Sequence, residues 1–134
     1  MVKLFPALLT ELGNVTAFVE GELEKADCPM KTQMSVSVCV EEVFVNIAHY
    51  AYPDRVGTAE VRVDVDSDEK SIVICFMDNG IPFDPLDKAE PDIALPAEER
   101  QIGGLGIFMV KKLSDELSYK YADGWNVLTM KKFF

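Results

Sequence analysis

The sequence predicts an α/β chain of the α+β kind, a two-layer sandwich in which a mixed, mostly antiparallel sheet carries its helices on one face. Three observations predict it. Apolar residues recur at helical spacing in three separate segments, 8–26, 31–51 and 105–116. Between and after them stand strand-like runs joined by short turns, 67–70 and Asp123-Gly124, which give two hairpins. The stripe Val36, Val40, Val43 and Ile47 offers one helix face to a sheet, and the alternating Val61, Val63 and Val65 offer a sheet face to a helix.

The elements follow in order. Val2-Lys3-Leu4-Phe5 is a short edge-strand candidate, stopped by Pro6, which has no N–H for the ladder. Leu8, Leu9, Leu12, Val15, Phe18, Val19 and Leu23 give the first helix its apolar side, and Asp27-Cys28-Pro29 ends it. The second helix, from Lys31 to Tyr50, carries the apolar stripe on one side. Glu42, Asn46 and His49 fall at i, i+4 and i+7 on another, flanked by Val38 and Val45. Polar residues so embedded are unusual for a solvated face. Tyr52-Pro53-Asp54 closes this helix. Ala59 to Asp66 alternates, with Arg62, Asp64 and Asp66 opposite the valines. The apolar run 71–77 reads as a buried strand. Residues 86–102 are polar, hold Pro91 and Pro96, and read as a long loop of the kind that serves as a lid. Gly103-Gly104-Leu105-Gly106 opens the third helix, whose apolar side is Ile107, Phe108, Val110, Leu113 and Leu117. The hairpin around Asp123-Gly124 completes the chain, and Asp-Gly suits a type I′ turn.

The 134 residues suffice for one domain, 1–134, with a sizeable core, and no repeat or second domain is visible. No apolar run reaches membrane-spanning length and no leader stands at the N-terminus, so a cytoplasmic protein is expected. The three cysteines, Cys28, Cys39 and Cys75, are widely spaced, form no metal signature, and read as small apolar side chains. A net charge of −10 argues against direct contact with nucleic acid or an anionic membrane. An anionic ligand would need a local device such as Mg²⁺ or backbone N–H groups.

Two stretches carry chemistry. Asp78 sits at the end of the buried strand, followed at once by Asn79-Gly80. It either caps the turn or accepts a hydrogen bond from a ligand amino group, with Gly80 leaving room or tolerating φ > 0. The glycines 103, 104 and 106 precede a helix, where exposed N–H groups and the helix dipole favour an anion; a hinge is the alternative. No Gly-Lys-Ser/Thr follows, so this is not a Walker loop, and Met109 stands where a Rossmann fingerprint needs its third glycine.

In chain order these features are Glu41-Glu42-Val43-Phe44-Val45-Asn46-Ile47-Ala48, Asp78-Asn79-Gly80-Ile81-Pro82-Phe83-Asp84-Pro85, a long loop, and Gly103-Gly104-Leu105-Gly106-Ile107-Phe108-Met109-Val110-Lys111-Lys112. At this point the chain resembles the Bergerat-type ATP-binding domains of histidine kinases and type II topoisomerases. It is more closely similar to the bacterial anti-sigma regulatory factor serine/threonine kinases, over essentially its whole length. The resemblance implies a Bergerat fold that binds ATP and Mg²⁺. It implies that Asn46 holds the metal and that Glu42 is the general base. Asp78 would receive the adenine amino group, with Gly80 giving the base close approach. Gly103, Gly104, Leu105 and Gly106 would cradle the phosphates, and 86–102 would be the ATP lid. Arg100 would either meet the terminal phosphate or pair with Glu98 or Glu99. Thr129 is the candidate for the threonine that the family's last strand offers to the nucleotide. Tyr50 departs from the family pattern, and His49 is given no catalytic role.

The function so implied is an anti-sigma factor that is also a serine/threonine protein kinase. It would bind a sigma factor in one state and phosphorylate a STAS-type antagonist in the other, as a homodimer. The alternative is a nucleotide-dependent binding module with little or no kinase activity, against which the presence of Glu42 speaks. A detached histidine-kinase domain is disfavoured, because the one histidine lies inside the site helix.

Overall fold

In the computed structural model, residues 1–87 and 104–134 are described. Five strands form one sheet in the order β1-β2-β3-β5-β4, namely β1 (Val2–Pro6), β2 (Thr58–Asp66), β3 (Ser71–Asp78), β4 (Glu116–Ala122) and β5 (Trp125–Phe133). Every neighbouring pair among the described strands is antiparallel, in keeping with the mostly antiparallel sheet expected. The helices are α1 (Leu12–Lys25), α2 (Met30–Tyr50) and α3 (Gly104–Leu113).

The core forms where the two periodicities meet. Val36, Cys39, Val40, Val43, Phe44 and Ile47 of α2 are buried, as are Val61 and Val63 of β2 and Ile72, Ile74 and Phe76 of β3. Leu128 and Met130 of β5 extend the same layer. Burying a side chain of this size contributes about 1.5–3 kcal/mol before the entropy of ordering it. Across the sheet, Arg62 and Asp64 stay exposed, as period two requires. Asp123 and Gly124 both have positive φ, at 54° and 83°, the conformation of the expected type I′ turn.

Two helix boundaries differ from those predicted. The segment expected to be helical from residue 8 begins with a 3-10 turn, Leu9–Glu11, and α1 proper starts at Leu12. The third helix ends at Leu113 rather than 116, and Leu117 belongs to β4. The run Leu113 to Leu117 fits both periods, and the ladder with β5 takes it, pairing Leu117 with Met130. No described helix is long and apolar enough to cross a membrane.

Candidate functional site

The site lies between α2 and the ends of β3 and β5. Helix α2 contributes Val43, Asn46 and Ile47 to a cleft that opens to solvent. Strand β3 contributes Phe76 and Asp78, α3 contributes Ile107, and β5 contributes Asn126 and Leu128. Ile81, Phe83 and Pro85 close one side, where the ring of Phe83 stacks on Tyr50 at 5.4 Å between centroids. The walls are thus apolar, with Asp78, Asn126 and Asn46 as polar points.

Asp78 faces the cleft because of register. It is opposite Ala59 in β2 and Asn126 in β5, on the same face as Phe76. It is 5 % exposed. Its Oδ1 accepts from Asn126 Nδ2 at 2.9 Å and from the Gly80 N–H at 3.0 Å. Among the described residues Oδ2 receives no hydrogen bond. Burial pushes the Asp78 carboxyl above its ordinary range, and the bonds from Asn126 and Gly80 pull it back. The result is a carboxylate with one oxygen unclaimed by the described residues, in the lining of an apolar slot. Such a slot fits a flat heterocycle with an exocyclic amino group, and a mere turn-capping role leaves Oδ2 unexplained.

Asn126 was not singled out from the sequence. Its Nδ2 also donates to the Ile81 carbonyl at 2.9 Å, and its Oδ1 accepts from the Phe83 N–H at 3.2 Å and from the Tyr119 hydroxyl. One signal was available, because asparagine is depleted in strands and here alternates with Leu128 and Met130. The same alternation corrects the expectation for Thr129. Leu128 and Asn126 face the cleft, so Thr129 faces the other side of the sheet, where its hydroxyl lies 3.7 Å from Cys75 Sγ. A one-residue step in a strand reverses the face.

Gly80 is constrained differently from expectation. Its φ is not positive, and it stands outside the residues that line the cleft. A Cβ there would lie 2.1 Å from the Ala51 carbonyl oxygen, and the next residue, Ile81, donates its N–H to that same oxygen at 2.9 Å. The missing side chain admits the end of α2. Beside it, the Tyr52 hydroxyl donates to the Thr58 carbonyl at 2.5 Å and accepts from the Asn79 N–H at 3.1 Å. These contacts fix the Asp78 turn against α2.

On α2, Asn46 is buried at the cleft and Glu42 is half-buried one turn earlier, whereas His49 points to solvent. The expected polar stripe is therefore graded from cleft to surface. Burial, with Glu41 beside it, raises the Glu42 carboxyl above its ordinary range. No cluster of three metal-binding side chains occurs among the described residues. A lone Asn46 oxygen suits Mg²⁺, which takes few protein ligands when phosphates and water supply the rest. The backbone of Gly104, Leu105 and Gly106 forms the first turn of α3, where N–H groups are unpaired within the helix. Gly103, Arg100 and all but the first two residues of the expected 86–102 lid lie outside the described residues.

Three comparisons bear on this site. The family described as the histidine kinase-like ATPase domain matches residues 5–132. The serine/threonine-protein kinase BtrW of Bordetella bronchiseptica is 26% identical over 100 residues, 75% of this chain and 70% of that protein. The serine-protein kinase RsbW of Bacillus cereus is 25% identical over 134 residues, 97% of this chain and 76% of that protein. Among solved structures, the RsbU and RsbW domains of a Mycobacterium tuberculosis protein superpose with a TM-score of 0.67 at 12% identity. They cover 99% of this chain and 32% of that one. A blue-light activated histidine kinase of Erythrobacter litoralis gives 0.60 at 20% identity, covering 92% of this chain and 41% of that one. These two likenesses concern the fold.

Proposed function

The chain belongs to the histidine kinase-like ATPase domain family, and from that premise we propose that it is an ATP-dependent serine/threonine protein kinase and anti-sigma factor of a partner-switching pathway. The observation that carries nucleotide binding is the Asp78 Oδ2 acceptor at the end of an apolar slot. The kinase activity draws its support from the relatives named serine-protein kinases. The family resemblance read in the sequence adds to this proposal a STAS-type antagonist as substrate, a sigma factor as the other partner, a homodimeric state and a place in the cytoplasm.

The residues take these roles. Asp78 receives the adenine amino group, with Phe76, Ile107 and Leu128 as apolar walls. Asn46 offers its side-chain oxygen to Mg²⁺, which neutralises phosphate charge when bound. The N–H groups at the start of α3 face the phosphates. Glu42 accepts the proton of the attacking hydroxyl as the oxygen–phosphorus bond forms and ADP leaves. Its raised carboxyl range suits that task, because a stronger base takes the proton more readily. The reaction should therefore slow on the acid side, as Glu42 becomes protonated.

The test uses Glu42→Gln, which keeps size but cannot take up a proton. It should bind Mg-ATP like the parent and transfer phosphate to a co-purified STAS-type partner about 10²–10⁴-fold more slowly. Labelled ATP and mapping of the modified hydroxyl give the readout. Transfer at the parental rate would remove Glu42 from the role of base. A parent that binds such a partner and never phosphorylates it would leave a nucleotide-dependent binding module.

A further inference from the structure

Asn126 makes four hydrogen bonds, and two of them are to backbone groups whose polarity is fixed. The Phe83 N–H can only donate, so the amide oxygen must face it. The Ile81 carbonyl can only accept, so the amide nitrogen must face it. The Tyr119 hydroxyl adds a further bond to the oxygen. The orientation of this amide is thus settled by the chain's own N–H and C=O groups. Its remaining N–H necessarily points at Asp78 Oδ1.

That has a consequence for the ligand. With Oδ1 taken by Asn126 and Gly80, the oxygen left to the cleft is Oδ2, and it can only accept while the carboxylate is ionised. We propose that Asn126 is a positioning residue that sets the purine preference of the cleft, holding Asp78 as a bare acceptor for an exocyclic amine at position 6. The proposal rests on the nucleotide-binding function above. A 6-amino purine meets a matched partner. A 6-oxo purine brings a carbonyl against a carboxylate in an apolar slot, which is strongly disfavoured.

Removing Asn126 changes both halves of that discrimination. The carboxylate loses a donor that favours its charged form and is left with the Gly80 N–H alone to hold it. A protonated Asp78 would donate to a 6-oxo group, so the wrong purine gains while the right one loses. The 81–83 segment that walls the slot loses two anchors as well.

Calorimetry with Mg-ADP and Mg-IDP tests this, since the two bases differ at position 6. The parent should prefer ADP by about 100-fold or more. Asn126→Leu should lower the ADP/IDP ratio by at least about tenfold, an effect that loss of rigidity alone would not produce, because it weakens both ligands together. If Asn126→Leu does not fold, Asn126→Ser replaces it; serine cannot span Asp78 and the Ile81 carbonyl, and the ratio should fall likewise. An unchanged ratio in a folded variant overturns the proposal and leaves nucleotide binding intact. So does a parent that binds ADP and IDP equally. A parent that binds neither removes the nucleotide site itself, and the proposal with it.

Discussion

Asp78 is a carboxylate held where water scarcely reaches, and its stability cost has a definite sign. Burial raises its pKa in the folded chain above the unfolded value of about 4. Between those two values the folded state holds more protons than the unfolded one, so this group's contribution to stability falls as pH rises through the window. It is flat above it. Asp78→Asn removes the ionisation and keeps an acceptor for Gly80. The variant should be at least as stable as the parent at neutral pH and lack this part of the decline upward from pH 4, in urea melts across pH. It should also lose Mg-ADP affinity by roughly 1–3 kcal/mol, because an N–H₂ can now face the adenine amine. Stability and binding would then move in opposite directions at one residue. Asp78 was legible in the sequence because a carboxylate ended an apolar strand. Asn126 and Thr129 were not, because their parity depends on which face of β5 meets α2, and Val127-Leu128 reads equally well either way.

At the scale of elements, the site depends on a contact between the end of α2 and the turn after β3. Gly80 and Ala51 touch backbone to backbone, and Tyr52 covers Gly57 while bridging Thr58 and Asn79. The sequence placed Asn-Gly at a turn, but only the packing shows that the missing Cβ admits a helix end. Gly80→Ala puts a carbon 2.1 Å from a carbonyl oxygen that already accepts the Ile81 N–H, so backbone must move. The expected loss is about 3 kcal/mol, at the upper end of overpacking effects. Tyr52→Phe removes a hydroxyl and should cost about 1 kcal/mol. Denaturant melts separate the two. Equal, small losses would show that the turn and the helix end are not rigidly joined. The helix and strand assignments were otherwise readable from periodicity, because α2 and β2 each carry a single dominant period, whereas the segment after Leu113 carries two.

At the scale of the whole molecule, 23 acidic residues stand against 13 basic ones. The ion pairs among the described residues are at the surface: Lys25 with Glu22, and Lys131 with Glu69 and Glu116. Exposed pairs of this kind contribute little, so uncompensated repulsion should dominate the long-range electrostatics. Added NaCl screens it, with a Debye length near 8 Å at about 0.15 M, and should raise the melting temperature gradually and without saturation at a site. Mg-ADP acts otherwise. A ligand held only by the folded state adds about 2.7 kcal/mol at 100 times its Kd. For a chain of this size that is of the order of 10 °C. The two effects separate by mutation. Asp78→Asn should keep the whole salt increment and lose about a third or more of the Mg-ADP increment at the same ligand concentration, because it changes one buried contact and leaves the surface charge nearly as it was. Thermal melts with salt and nucleotide varied independently measure both. If the nucleotide increment survives Asp78→Asn while high salt abolishes it in the parent, the nucleotide is binding to surface charge, and the slot at Asp78 is not its site.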